Sequence, residues 1–309
     1  MLTAILPLTT SGWKTRLDLE RFRLQVISYD TYLAAGTFSK ILVYVPDEEL
    51  EKIKAQVSSW DTTQNIEVLS ERPLLLLPDN STIQKIGGYE GWYTQQLVKL
   101  NAALHISDPW YLTLDADVLC CKPTSLADLF PEGKALCTHD RKATHLQWWK
   151  SSYNVLKLKP NLTDRGCGVT PMILHTDSVK SLLSELDKIY KKPHNQSLVE
   201  LIKHGRKWTE YTLYWAHLSE NLKTHDTLYS QVSLQSCGHW GGSWADFKPN
   251  LSFNTQGEGK HFVVIQSKSG MHPTRLYAEL KKYIDPSQKH DPKLRILPRP
   301  SPLLPPTDA

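Results

Sequence analysis

A chain of 309 residues, 40% hydrophobic and 22% charged, is long and apolar enough to bury a proper core, which excludes a disordered or fibrous protein. Its formal net charge of +4 is too mild to point to nucleic acid, and no apolar stretch approaches the length of a membrane span. The five cysteines, Cys120, Cys121, Cys137, Cys167 and Cys237, are odd in number and lack zinc spacing, so free thiols in a reducing compartment are expected.

Leu2–Leu8 reads as a buried strand stopped by a Pro-Leu-Thr-Thr-Ser-Gly run. It is too short for a signal peptide and lacks a basic flank, so a cytoplasmic protein is expected, one that can sit at the periphery of the inner membrane. From Asp18, Leu19, Phe22, Val26 and Tyr29 recur at helical spacing. Lys40–Val45 is a second strand, Asp47 can cap a helix through Val57, and Ile66–Leu69 is a third strand. Trp92–His105 is an amphipathic helix with Tyr93, Leu97, Leu100 and Leu104 on one face, and Trp110–Leu114 is the next strand. This alternation predicts an α/β fold with a largely parallel sheet.

The second half is less regular. Ala135–Thr138 and Val169–His175 read as strands, the latter after the turn Gly166-Cys-Gly168. Helices are expected over Ser178–Tyr190, Gln196–His204 and Thr209–Asn221, then a strand over Phe262–Gln266 and a helix over Pro273–Ile284. Prolines crowd residues 285–309, which read as an extended or disordered basic tail.

The chemistry concentrates where the Trp110–Leu114 strand ends in Asp115-Ala-Asp117. Unpaired buried charge is costly, so two carboxylates ending an apolar strand need a purpose. Mg²⁺ and Mn²⁺ supply one, because hard cations bind through one or two carboxylates plus substrate phosphates. Open α/β sheets bind ligands beyond the carboxyl ends of their strands, where this pair sits. On the preceding helix Gln95, Gln96 and Lys99 share a polar side. Lys99 there can pair with phosphate, and the glutamines can bond base or sugar hydroxyls. Within Trp208–His217, Trp208, Tyr211 and Trp215 share a buried face, while Glu210, Tyr214 and His217 share another.

The chain resembles GT-A-fold glycosyltransferases, and more narrowly a bacterial family of glycosyltransferase-like proteins of unknown function. The residues that carry the likeness are Ile5-Leu-Pro-Leu-Thr9, Gly91-Trp-Tyr-Thr-Gln-Gln-Leu-Val-Lys-Leu100, Tyr111-Leu-Thr-Leu-Asp-Ala-Asp117 and Trp208-Thr-Glu-Tyr-Thr-Leu-Tyr-Trp215. The resemblance implies a single large domain over 1–284. In it a Rossmann-like, mixed and mostly parallel sheet is flanked by helices. Residues 1–118 form a nucleotide-sugar half and 119–284 an acceptor half. It also implies a metal-dependent transfer of a sugar from a nucleotide-sugar donor, UDP-linked by analogy, to an acceptor such as a saccharide or lipid-linked glycan.

Asp117 would then ligate the divalent metal, Mn²⁺ or Mg²⁺, and Asp115 the metal or the donor's ribose. Thr9 falls in the donor region. Glu210 matches the position of the general base of inverting enzymes, although the first turn of a helix favours its charged form and lowers its basicity. Where such families place a histidine ligand after a late strand, this chain has Gln266, with Lys268 in the following loop for the diphosphate; His239, His261 and His272 are alternative ligands. The Asp164–Pro171 turn is a candidate acceptor-pocket wall.

Two rival readings keep the same motif. A haloacid-dehalogenase-type phosphatase would use Asp115 in Asp115-Ala-Asp-Val118 as a phosphorylated nucleophile, but places that motif near the N-terminus and needs an acidic pair downstream. A non-catalytic nucleotide or sugar binder of the same fold would tolerate loss of Glu210.

Overall fold

The computed structural model describes residues 1–11, 17–83, 90–205, 207–232, 234–239, 249, 253, 260–267 and 271–286. Strands β1 (Leu2–Pro7), β2 (Phe38–Val45), β3 (Ile66–Ser70), β4 (Trp110–Thr113) and β8 (Met172–His175) form a five-stranded sheet in the order β3-β2-β1-β4-β8. The first four are parallel, and β8 runs antiparallel to β4. Every residue of β1 is buried, as expected of a strand covered on both faces. The mixed, mostly parallel sheet with flanking helices read from the sequence is the architecture found.

A second sheet, in the order β5-β10-β9, joins β5 (Val118–Cys120), β10 (Phe262–Ile265) and β9 (Gln235–His239). The Asp115-Ala-Asp117 segment is therefore the crossing between two sheets. Leu114 N–H still donates to Ile5 O of the first, while Asp117 O accepts from Ile265 N of the second. Helix α1 (Asp18–Tyr32) packs against β5 and the Pro273–Ile284 helix. Its buried polar residues serve β5: Ser28 Oγ accepts from Cys120 N at 3.0 Å, and Tyr29 OH donates to Val118 O at 3.1 Å.

Several local expectations are corrected. The Glu90–Asn101 helix ends early in a 3₁₀ turn, Ala102–Leu104, so Leu104 leaves the apolar face and is 51% exposed. The region of Asp47 forms a 3₁₀ turn before the Leu50–Ser58 helix, and Asp47 makes no cap. Ala135 forms only an isolated bridge with Tyr229. The helix expected over Thr209–Asn221 is α-helical at Glu210–Ala216 and continues as a π-helix over His217–Leu222. Unpredicted were β5, β9, the antiparallel pair of β6 (His139–Arg141) with β7 (Arg165–Cys167), and the Leu146–Val155 helix. Among the described residues no helix is long and apolar enough to cross a membrane. The Pro-rich tail lies, from residue 287 on, outside the described residues.

The free-thiol expectation holds for buried Cys120, but Cys137 and Cys167 form a disulfide. They are 30 residues apart, and only the β6–β7 pairing brings them together. The side chain of Cys237 lies outside the described residues.

Gly166 in β7 is dictated by packing. A Cβ there would meet the buried Trp149 ring at 2.4 and 2.6 Å. Gly166→Ala is expected to destabilise the protein by about 1–3 kcal/mol in urea denaturation, the cost of overpacking a rigid core; an unchanged midpoint would show that Trp149 yields freely.

Two buried histidines make the fold acid-sensitive. Burial pushes His217 and His261 down to about 4. His217 accepts from Asn221 Nδ2 at 3.0 Å and donates to Ser181 Oγ at 3.1 Å, a pattern only the neutral ring supports. The unfolded chain binds these protons from about pH 6.5 down, whereas the folded chain refuses them until about pH 4. Stability should therefore fall as pH drops through that window, by on the order of 3 kcal/mol per histidine. A flat urea midpoint between pH 7 and pH 4.5 would contradict this.

Candidate functional site

The strand order reverses between β1 and β4, and two cavities open at the carboxyl ends of the parallel strands there. A cavity of about 420 Å³ is lined by Thr9 after β1, Asp47 and Glu48 after β2, and Arg72 after β3. A second, of about 730 Å³, contains Lys99, Asp115, Glu210, Tyr211 and Gln266, with Gly168–Thr170 in its wall. Gln95 lines both.

Lys99 is the hub of the larger cavity. It is 3% exposed, and Nζ donates to Asp115 Oδ1 at 2.7 Å, Glu210 Oε1 at 3.1 Å and Tyr211 OH at 3.2 Å. Those contacts match its three N–H donors. Burial alone would lower the ammonium's pKa, but Asp115, Tyr211 and Glu210 outweigh it and raise it. The phosphate role expected for Lys99 is therefore revised: its donors are spent on protein groups. Tyr211 OH in turn lies 2.9 Å from Thr113 Oγ1, whose own proton goes to Met172 O at 2.9 Å.

Glu210 opens the Glu210–Ala216 helix behind Thr209, which forms a capping box with Thr212. The whole helix is buried, so its polar first turn needs internal partners. Gln96, 1% exposed, supplies one, its Oε1 accepting from Glu210 N at 3.2 Å. Gln96 also lines the larger cavity. Burial raises the Glu210 pKa, opposed by Lys99 and reinforced by Asp115. Burial thereby offsets the acidifying pull of the helix N-terminus.

Asp117 accepts from Ser267 N–H at 3.1 Å through Oδ2, while buried Oδ1 has no partner. Burial and the neighbouring Asp115 push its pKa up to about 7, against the pull of Ser267 N–H and Arg21. Two residues of α1 that the sequence reading overlooked complete this end. Arg21 is buried, donates to Met271 O at 2.6 Å and leaves Nη1 unpartnered. Asp18, 3.9 Å from Arg21 Nε, is also pushed up to about 7, chiefly by burial and then by Asp117. Four carboxylates (Asp18, Asp115, Asp117 and Glu210) face two cations (Lys99 and Arg21), a formal excess of two negative charges. That excess and the orphaned Asp117 Oδ1 fit one divalent cation.

The remaining expectations divide. Thr9 borders the smaller cavity, but its hydroxyl donates to Glu49 Oε1 at 2.6 Å. Bonds from Thr9, Thr10 and Ser11 hold the Glu49 carboxyl below its usual range despite burial, so Thr9 shapes the loop after β1. Gln266 stands in the larger cavity. Lys268 and the side chain of His239 lie outside the described residues. His261 is buried with Nδ1 2.8 Å from Thr124 Oγ1. His272 caps the Pro273–Ile284 helix through its ring.

A model of a family of unknown function, DUF6492, matches residues 1–288. No curated protein matches the chain. Mouse xyloside xylosyltransferase 1 is similar in structure at 12% identity and a TM-score of 0.48, over 87% of this chain and 99% of that one. The mannosyltransferase Ktr4p of S. cerevisiae is similar at 14% identity and a TM-score of 0.46, over 70% and 65% of the two chains. The galactosyltransferase LgtC, solved with donor and acceptor sugar analogues, is similar at 14% identity and a TM-score of 0.35, over 67% and 73%. At these identities the likeness carries no residue-by-residue correspondence.

Proposed function

The chain belongs to the DUF6492 family, and we propose that it is a metal-dependent glycosyltransferase moving a sugar from a nucleotide-sugar donor to an acceptor hydroxyl. The observation that carries this reading is the Asp115/Asp117 pair at the sheet's reversal point, with buried Asp117 Oδ1 left without a partner and Asp115 lining the larger cavity. The donor's nucleoside takes the 420 Å³ cavity, lined wholly by residues of 1–118, and the acceptor takes the larger one, lined mainly by residues of 119–284. Asp117 and Asp115 would hold Mn²⁺ or Mg²⁺, which supplies Lewis-acid neutralisation of the leaving diphosphate when bound. Lys99 fixes Asp115 and Glu210 relative to each other, and Glu210 accepts the proton of the acceptor hydroxyl. A UDP-linked donor is proposed by analogy.

The phosphatase alternative needs a downstream acidic pair, and among the described residues no group of three or more carboxylates lies within metal-ligand distance of one another. A cytoplasmic location is retained as a proposal, although the Cys137–Cys167 disulfide is uncommon in reducing compartments.

A thermal-shift panel of nucleotide sugars, with and without Mn²⁺ or Mg²⁺, tests the reading. Cation-dependent stabilisation by a nucleoside diphosphate or its sugar is the expected result, and silence across the panel would overturn it. For the base, Glu210→Gln should lower the transfer rate by about 10²–10⁴-fold with donor binding intact. Unchanged transfer would remove Glu210 from the chemistry.

A further inference from the structure

The Leu146–Val155 helix carries two adjacent tryptophans with opposite fates. Trp149 is 2% exposed and packs over Gly166. Trp148 turns to the 730 Å³ cavity, half-buried, stacked on the His145 ring at 4.3 Å and 15°. Trp92, from the Glu90–Asn101 helix, stands 5.9 Å away at 36° and is 39% exposed. Two separately folded segments thus place three aromatic rings in one wall of the cavity that also holds Lys99, Asp115 and Glu210.

Aromatic surface left in contact with water forgoes about 25 cal/mol per Å², and an indole offers some 150–250 Å². Partly exposed rings gathered in one cavity wall offer a ligand apolar surface to cover. Polar groups supply the rest of the lining: Asp140, Thr144, whose hydroxyl donates to Asp140 Oδ1 at 3.1 Å, and Lys260. The complementary ligand has a flat apolar face and an edge dense in hydroxyls. A lipid chain lacks the polar edge. A nucleobase, on the proposed function, takes the cavity at the ends of β1, β2 and β3.

We infer that the Trp92–Trp148–His145 wall is the acceptor platform, and that the acceptor is a saccharide bound by the C–H face of a pyranose ring. The inference rests on the glycosyltransferase reading for the word acceptor; saccharide binding itself is independent of it.

The test uses the full chain without donor. Lactose, maltose, cellobiose and their methyl monosaccharides are titrated by saturation-transfer NMR and calorimetry against wild type, Trp148→Ala, Trp92→Ala and the conservative Trp148→Phe. At least one saccharide should bind with saturation reaching its ring C–H protons. Trp148→Ala and Trp92→Ala should weaken it by about tenfold or more, with Trp148→Phe intermediate. Stabilisation by UDP with Mn²⁺ should be the same in all four proteins. No binding across the panel, or equal affinity in all four, overturns the platform. So does a parallel loss of UDP binding, which would place the base on this wall. Saccharide binding that depends on the wall in a protein indifferent to every nucleotide would instead sink the glycosyltransferase reading and leave the platform standing. If Trp148→Ala fails to fold, Trp148→Phe and Trp92→Ala decide the question alone.

Discussion

Asp117→Asn should abolish cation-dependent nucleotide binding and cut sugar transfer by at least about 10²-fold, the scale on which a lost charge stabiliser is felt in a transition state. Asparagine keeps an oxygen for the Ser267 N–H and nearly the same volume, so only the charge is removed. The same substitution has a stability signature that separates a metal site from a structural aspartate. In the cation-free protein Asp117 holds its proton to about pH 7, against 3.8 for a free aspartate. Between those values the folded chain binds the extra proton, so stability declines as pH rises, and the full cost is present above about pH 7. Asp117→Asn should therefore equal or exceed wild type in urea above pH 7 without cation, and the advantage should close toward pH 4. Mn²⁺ should reverse the order by stabilising wild type alone. If the variant is less stable than wild type at pH 8 in EDTA, the carboxylate is structurally satisfied and the metal reading fails.

What was legible in the sequence followed from periodicity and burial. The strands β1 to β4 are apolar runs because parallel strands are covered on both faces, and the Asp pair stands out by breaking one. Lys99 was legible as a member of a polar helix side but not in its role. Helical spacing tells which residues share a face, whereas the covering partner, here the wholly buried Glu210–Ala216 helix, comes from tertiary packing. Arg21 and Asp18 escaped for the same reason: charges in a helix's first turns are ordinary until β5 and the last helix close over them. Gly166-Cys-Gly168 suggested a turn, yet the glycine answers to Trp149, a contact no local pattern announces. The signal that would have found the aromatic wall was the Trp148-Trp149 doublet itself, because adjacent residues on a helix covered on one side point in different directions.

The second large effect belongs to Lys99. Lys99→Met keeps much of the apolar stem and removes the only cation that touches both Asp115 and Glu210 among the described residues. Stripping the partner from a buried ion pair leaves uncompensated charge, at about 3–5 kcal/mol. Glu210 is the more buried of the two carboxylates, its side chain 5% exposed against 34% for Asp115, so most of the loss should sit there. The double variant Lys99→Met/Glu210→Gln should therefore recover stability relative to Lys99→Met, a coupling that additive substitutions would not show. The loss should also shrink on acidification, because the Glu210 pKa is already raised by burial and loses the lowering influence of Lys99, so a proton on Glu210 relieves the unpaired charge. Urea denaturation of the four proteins at pH 7.5 and pH 5.5 measures all three quantities. A Lys99→Met loss within about 0.5 kcal/mol, the range of ordinary surface substitutions, would mean the cluster compensates no charge. Full additivity would mean that Lys99 and Glu210 act separately, and Glu210 would then need another source for its orientation. If the coupling appears, Lys99 is the residue that ties the cation end of the site, through Asp115, to its base end, through Glu210.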